Sequence, residues 1–294
     1  MPIRFFTVLI ASSLVCHTMS LSAEKQSPGE TGKLLKVFVS EFVAITPGRG
    51  AFPKSFTMGT KTGPAEERPP RKVSFDYSFQ IAKYEVPQNL YEAVMGDNPS
   101  RWKGPRNSVE MMNWNEANSF CQRLTTLLKK AKLIDADQTV RLPTESEWEY
   151  CCRAGTTTAY SFGDQARKPE DQGKKASLLD DFAWHTGNAT GNDPPVGAKK
   201  PNPWGLYDMH GYLWEFVLDD WKADYRGAPQ DGSAVKNDSK QCVARGGSWK
   251  DDFRRLTSSA RRGIRVSDPA AKSDRGDEIG FRCVLVRTSP KSTP

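Results

Sequence analysis

The chain has 294 residues, 37% hydrophobic and 26% charged, with 8 Trp, 14 Phe, 23 Gly, 20 Pro and a formal net charge of +7. That aromatic content excludes a disordered chain, and the Gly and Pro load with few long apolar runs excludes a helical bundle. Basic pairs such as Lys199-Lys200, Arg254-Arg255 and Arg261-Arg262 are scattered among carboxylates, which argues for a mildly anion-attracting surface and against a nucleic-acid binder.

Residues 1–23, MPIRFFTVLIASSLVCHTMSLSA, place Arg4 before an apolar run from Phe5 to Val15 and end on small residues at Ala23. This is the pattern of a secretory signal peptide, and no later segment approaches the ~20 apolar residues a bilayer crossing needs. The mature protein is therefore expected to be exported, periplasmic or extracellular, with no membrane span. Residues 24–35 are polar with Pro28 and Gly29 and read as a disordered leader, and 289–294 read as a frayed tail. KVFVSEFVAITPG, starting at Lys36, alternates and is β-rich, which predicts the first strand. FTMG (56–59) predicts a short strand, and Val73 to Val86 a longer alternating one. Pro87 to Met95 predicts a short helix closed by Gly96.

Two further helices carry capping boxes. Asn113-x-x-Glu116 opens a run with Phe120, Leu124, Leu127 and Leu128 on one face. Thr144-x-x-Glu147 opens another that stops at Gly155; here Glu145 and Glu149 share a face, and Trp148 is expected to anchor the core. Beyond Thr156 the chain reads as loops with short strands at CVARGGSW and IGFRCVLV. Removal of the first 23 residues leaves Cys121, Cys151, Cys152, Cys242 and Cys283, and in an oxidising compartment these favour disulfides. With only His185 and His210 remaining and no C-x-x-C pair, zinc is not expected.

The ordered set FTMG (56–59), KYEVPQNLYEAVMGDNPS (83–100), RLPTESEWEY (141–150), PNPWGLYDMHGYLWEF (201–216), RGGSW (245–249) and GFR (280–282) resembles the formylglycine-generating enzyme, or sulfatase-modifying factor, family. The resemblance implies an α+β, single-domain, C-type-lectin-like fold over residues 36–288 with little regular secondary structure. It also implies a disulfide between Cys121 and Cys283. The family's second bridge starts at the position of Cys152, but its partner position falls on Arg261, leaving Cys242 as a partner for Cys151 or Cys152.

Calcium is implied at Asp208, at the carbonyls of Gly211 and Leu213, and at Glu215, all oxygen donors suited to a hard cation. The structural alternative is that Asp208 closes a turn and Glu215 pairs with an arginine. The family's oxygenase chemistry uses copper(I) held by two cysteines, three and eight positions after the serine of the GGS turn. Counted from Ser248, those positions hold Asp251 and Leu256. Neither is a thiolate, so copper is not expected, although Ser248 and Trp214 keep the family's active-site-turn residues.

The reading that follows is an exported binding or scaffold member without oxygenase activity. It would present the loops after RGGSW, with Asp251, Asp252, Arg254, Arg255, Arg261 and Arg262, to a protein, peptide or glycan. The alternatives are a formylglycine-generating oxidoreductase acting on a sulfatase cysteine, another oxidative enzyme on the same fold, or a structural role.

Overall fold

The Asn113 side chain accepts a hydrogen bond from the Glu116 amide, and Glu116 accepts one from the Asn113 amide. The Thr144–Glu147 box is closed in the same reciprocal way. Two of the four orphan donors at each helix start are thus satisfied locally, which fixes where the helices begin. The computed structural model describes residues 28–191, 193–266 and 275–288; the expected signal peptide and C-terminal tail lie outside them.

The elements run α1 (Pro28–Ser40), β1 (Phe42–Ile45), β2 (Ser55–Met58), β3 (Arg71–Ser74), β4 (Phe79–Ala82), α2 (Gln88–Met95), α3 (Trp114–Lys130), β5 (Gln138–Arg141), α4 (Glu145–Arg153), β6 (Trp214–Asp220), β7 (Gln241–Arg245), β8 (Arg261–Arg265), β9 (Ile279–Gly280) and β10 (Val284–Arg287). Short 3-10 turns occur at Ala65–Glu67 and Phe253–Arg255. The fold is α+β, with loops carrying most of the chain between Thr156 and Leu213.

Two sequence expectations fail at the start of the chain. Most of the segment read as a disordered leader, together with the front half of the predicted first strand, forms helix α1. Leu35 and Phe38, three residues apart, are both 3% exposed and join the core around α2 and α3. Burial of that face favours the helix over the β preference of KVFV. The strand expected over Val73–Val86 is split at 75–78: β3 pairs with β2, whereas β4 pairs with β1 and β10.

Two four-stranded sheets organise the rest, in the orders β1-β4-β10-β5 and β8-β7-β6-β9, with β2-β3 as a separate hairpin. In the second sheet β6 runs antiparallel to β7 and parallel to β9, Trp214 lying opposite Ile279 and Glu215 opposite Gly280. Strand β7 alternates between two cores. Cys242 and Ala244 face the cluster containing α3, and Val243 faces the cluster containing Trp148, Cys151 and Cys152. A Cys242 bridge to Cys151 or Cys152 would have to cross the sheet, so the structure does not bring that pair together.

Candidate functional site

Strand β7 ends at Arg245 and delivers the chain into the glycine turn. Gly247 has φ +75°, and a Cβ there would lie 2.6 Å from the Arg255 carbonyl oxygen, so only glycine lets the following loop fold back so closely. Ser248 emerges fully buried. Its Oγ donates to Asp251 Oδ2 at 2.7 Å, and its amide donates to the same oxygen at 3.1 Å. Trp214 Nε1 donates to it as well, at 2.8 Å. Asp251 Oδ1 faces Arg255 Nε at 3.3 Å. The guanidinium carbons of Arg262 and Arg255 lie 4.8 and 5.5 Å from the Trp214 ring centroid, a cation–π arrangement.

The structure therefore brings Ser248, Trp214 and Asp251 together. The carboxylate at the first copper position ties the turn to its neighbours. Leu256, at the second, is fully buried in a small apolar cluster with Tyr160, Ala166 and Leu179. A carboxylate and an aliphatic side chain offer copper(I) no soft ligand, so these residues do not fit that ion.

The expected binding surface needs one correction. Arg261 is 3% exposed and does not face solvent. Its Nε and Nη2 donate to Glu145 at 2.6 and 2.9 Å, and its guanidinium packs over Trp221 and Tyr225. Beside it Arg245 pairs with Glu149, which also accepts from Arg153 Nε at 2.9 Å. This buried ionic lattice places α4 beneath the turn, and Glu145 and Glu149 act in it structurally. Asp252 caps the Phe253–Arg255 turn and pairs with exposed Arg254, so these two do reach the surface.

Both side chains of the expected calcium set are buried. Glu215 Oε2 accepts from Arg282 Nε at 2.7 Å and Trp148 Nε1 at 2.9 Å, and Oε1 accepts from Arg282 Nη2 at 2.7 Å. Asp208 has φ +57°; its Oδ2 accepts from the Gly197 amide at 2.7 Å, while Oδ1 has no partner. Burial raises the Asp208 carboxyl to about 6. Gly211 is held against the Trp184 carbonyl, where a Cβ would come within 2.4 Å, and Leu213 leads into β6. A calcium ion takes six to eight oxygens, and the Glu215 oxygens already serve a guanidinium. As arranged, the donor set fits Arg282 and does not fit calcium.

The remaining chemistry-bearing residues are enclosed. His210 accepts at Nε2 from the Ser161 amide at 3.0 Å and contacts the Leu256 carbonyl through Nδ1 at 2.8 Å; burial lowers it to about 4, leaving a neutral tether between two loops. His185 is fully buried against Asp180. Burial pushes the Cys152 thiol up to about 12, which removes it as a nucleophile. Cys121 on α3 and Cys283 before β10 are buried with their sulfurs 3.8 Å apart.

The sequence reading missed a cavity of about 350 Å3 whose walls include Trp102, Trp184, Tyr212 and Trp249, with Glu110 and Asp277 among its polar groups. Its size falls in the range of small-molecule sites. Trp249 is the residue after Ser248, so the glycine turn supplies one wall, while the others come from loops far apart in sequence. Trp102, 45% exposed, is the one wall residue whose position at the surface is itself a signal.

A family model, the sulfatase-modifying factor enzyme 1-like domain, matches residues 36–287. The chaperone protein LppX of Paenibacillus barcinonensis is 28% identical over 204 residues, covering 58% of this chain and 69% of that one. The formylglycine-generating enzyme of Mycobacterium tuberculosis is 31% identical over 157 residues, covering 49% of this chain and 50% of that enzyme. Among solved structures, PvdO from Pseudomonas aeruginosa superposes with a TM-score of 0.65 at 30% identity, covering 83% of this chain and 94% of that one. Among the described residues, no helix is long and apolar enough to cross a membrane.

Proposed function

The chain belongs to the sulfatase-modifying factor enzyme 1-like family, and from that membership we propose that it is an exported, non-oxygenase member whose work is to bind a ligand. One observation carries the reading: the Asp251 carboxylate stands at the first copper position and is committed to Trp214, Ser248 and Arg255. A thiolate there could give up one of these donors and bind a soft metal ion through its sulfur. Asp251 instead closes the turn as a rigid support. Leu256, sealed in apolar packing, supplies no second ligand.

What the turn supports is a surface. Asp252, Arg254 and Arg255 stand on its outer side, and Trp249 leads into the aromatic cavity. A protein, peptide or glycan engaging the outer loops would thus also reach a preformed concave site, the usual division between rim and anchor. The similarity to a protein named as a chaperone fits a binding role, and the similarity to formylglycine-generating enzymes keeps the oxygenase as the outcome to exclude.

The test uses the mature protein, copper(I) and a peptide containing Cys-x-Pro-x-Arg, followed by mass spectrometry. The peptide cysteine is expected to remain a thiol; stoichiometric conversion to formylglycine overturns the proposal. In a parallel melt, calcium is expected to leave the unfolding temperature unchanged, because Arg282 occupies Glu215. A rise of several degrees with calcium, absent with magnesium, would show that Arg282 gives way to the ion.

A further inference from the structure

The cavity lining combines Trp102, Trp184, Trp249 and Tyr212 with three carboxylates, Glu110, Asp193 and Asp277, and includes no Lys, Arg or His among the described residues. The carboxylates differ in what they already hold. Asp277 is paired with Lys250 and, at 3.3 Å, with Arg101. Asp193 Oδ2 accepts from Asn107 Nδ2 at 2.5 Å. Glu110 is 3% exposed and uses Oε1 to accept from the amides of Arg101 and Trp102, at 2.5 and 3.0 Å; its Oε2 is buried with no partner. A buried carboxylate oxygen left without a donor is costly, and an incoming N–H satisfies it.

The aromatic walls suit the same partner. The rings of Trp184, Trp102 and Trp249 each already carry one of the chain's own cations, Lys199 at 4.0 Å, Arg101 at 4.9 Å and Lys250 at 5.0 Å. None of those cations lines the cavity, so the interior keeps its negative character and its ring surface. Burial, with the charges of Asp277 and Asp193, raises the Glu110 carboxyl to about 7 against the pull of its two amide donors. A bound cation would hold it ionised. Trp184 Nε1 is a second buried atom without a hydrogen-bond partner. An anion would meet three carboxylates here, and a purely apolar ligand would leave Glu110 Oε2 unpaired.

We propose that this cavity binds a primary or secondary alkylammonium group, whose N–H donates to Glu110 Oε2 while its carbon chain lies against the tryptophans. The proposal rests on the binding reading above and names the chemistry of the ligand.

Calorimetric titration of the mature protein at pH 8 with n-butylammonium, n-butanol and tetramethylammonium tests it. Butylammonium is expected to bind and to quench tryptophan fluorescence, with the neutral alcohol about tenfold weaker or more. Glu110→Gln keeps the shape and both amide contacts and is expected to lose about tenfold or more in butylammonium affinity. Trp102→Ala, at an exposed rim position that carries little folding risk, is expected to weaken binding several-fold. Equal binding of butanol, or wild-type affinity in both variants, overturns the proposal. Tetramethylammonium binding as tightly as butylammonium overturns the N–H contact to Glu110. A failed titration with a null formylglycine assay removes this ligand class alone, whereas formylglycine production removes the binding reading on which it stands.

Discussion

Glu85 shows how much a single buried carboxyl weighs in this protein. It is fully enclosed, and burial together with the nearby Glu215 and Asp208 charges raises it well above the ordinary carboxylate range. A carboxyl whose folded value exceeds its unfolded one stabilises fully below the unfolded value of about 4.5 and loses that contribution as pH rises toward the folded value. Stability is therefore expected to decline from mildly acid to neutral pH. Glu85→Gln, which mimics the protonated form, is expected to flatten that decline in denaturant melts; an unchanged slope would mean that Glu85 is ionised in the fold. Arg282 is the opposite case, a permanent cation enclosed by Glu215 and by the carbonyls of Ala82, Lys83 and Tyr207. Arg282→Ala strands the Glu215 charge and is expected to cost about 3–5 kcal/mol in chemical denaturation. At this scale motif spacing places Ser248 and Asp251 in one turn, whereas Trp214 reaches Asp251 from the start of β6. The sequence misled at Arg261, because an arginine beside an arginine reads as surface, and only the fold brings Glu145 beneath it.

The helices were legible where their ends carry local chemistry. The boxes at Asn113 and Thr144, and Gly96 at φ +91° after α2, are properties of a few neighbouring residues and need no tertiary partner. Removing one tests this: Thr144→Ala is expected to cost about 1 kcal/mol, more if the Thr144 hydroxyl bond to the Gly232 carbonyl at 2.8 Å is also missed. A loss below 0.5 kcal/mol, the lower end for a cap, would mean the box is not holding α4 in place. Helix α1 was illegible for the complementary reason. Its C-terminal half alternates Val37 and Val39 with Phe38 and so reads as a strand, and Leu35 and Phe38 make it a helix by packing against elements fifty and more residues away. The division of Val73–Val86 and the parallel pairing of β6 with β9 were equally hidden, since neither is announced by a turn signal. The cavity was the least legible feature. Trp102, Trp184 and Trp249 are separated by whole helices and strands, and nothing in their neighbours says that they converge.

Across the whole molecule the contacts that matter most join distant parts of the chain. Cys121 and Cys283 are 162 positions apart with their sulfurs in contact range, and under the export proposed above we expect them to be bridged. Closing so long a loop is expected to stabilise by about 4–5 kcal/mol in the chain-entropy account. The check is thiol counting with intact-mass measurement on the non-reduced protein, followed by denaturation with and without reductant. Two reactive thiols from this pair in the unfolded, never-reduced chain would exclude the bridge. Strand β10 extends the same pattern, because it sits inside its sheet, between β4 and β5. A ribosome releases β4 and β5 long before it releases residues 284–287, so the first sheet has a vacant lane until those residues emerge, and Glu215 waits as long for its arginine. A chain with that lane open is expected to stay unlatched, a state suited to the export proposed above. Its own final strand is then the latch that ends this permissive interval, and a chain stopped after Arg275 should remain open to protease for as long as it exists.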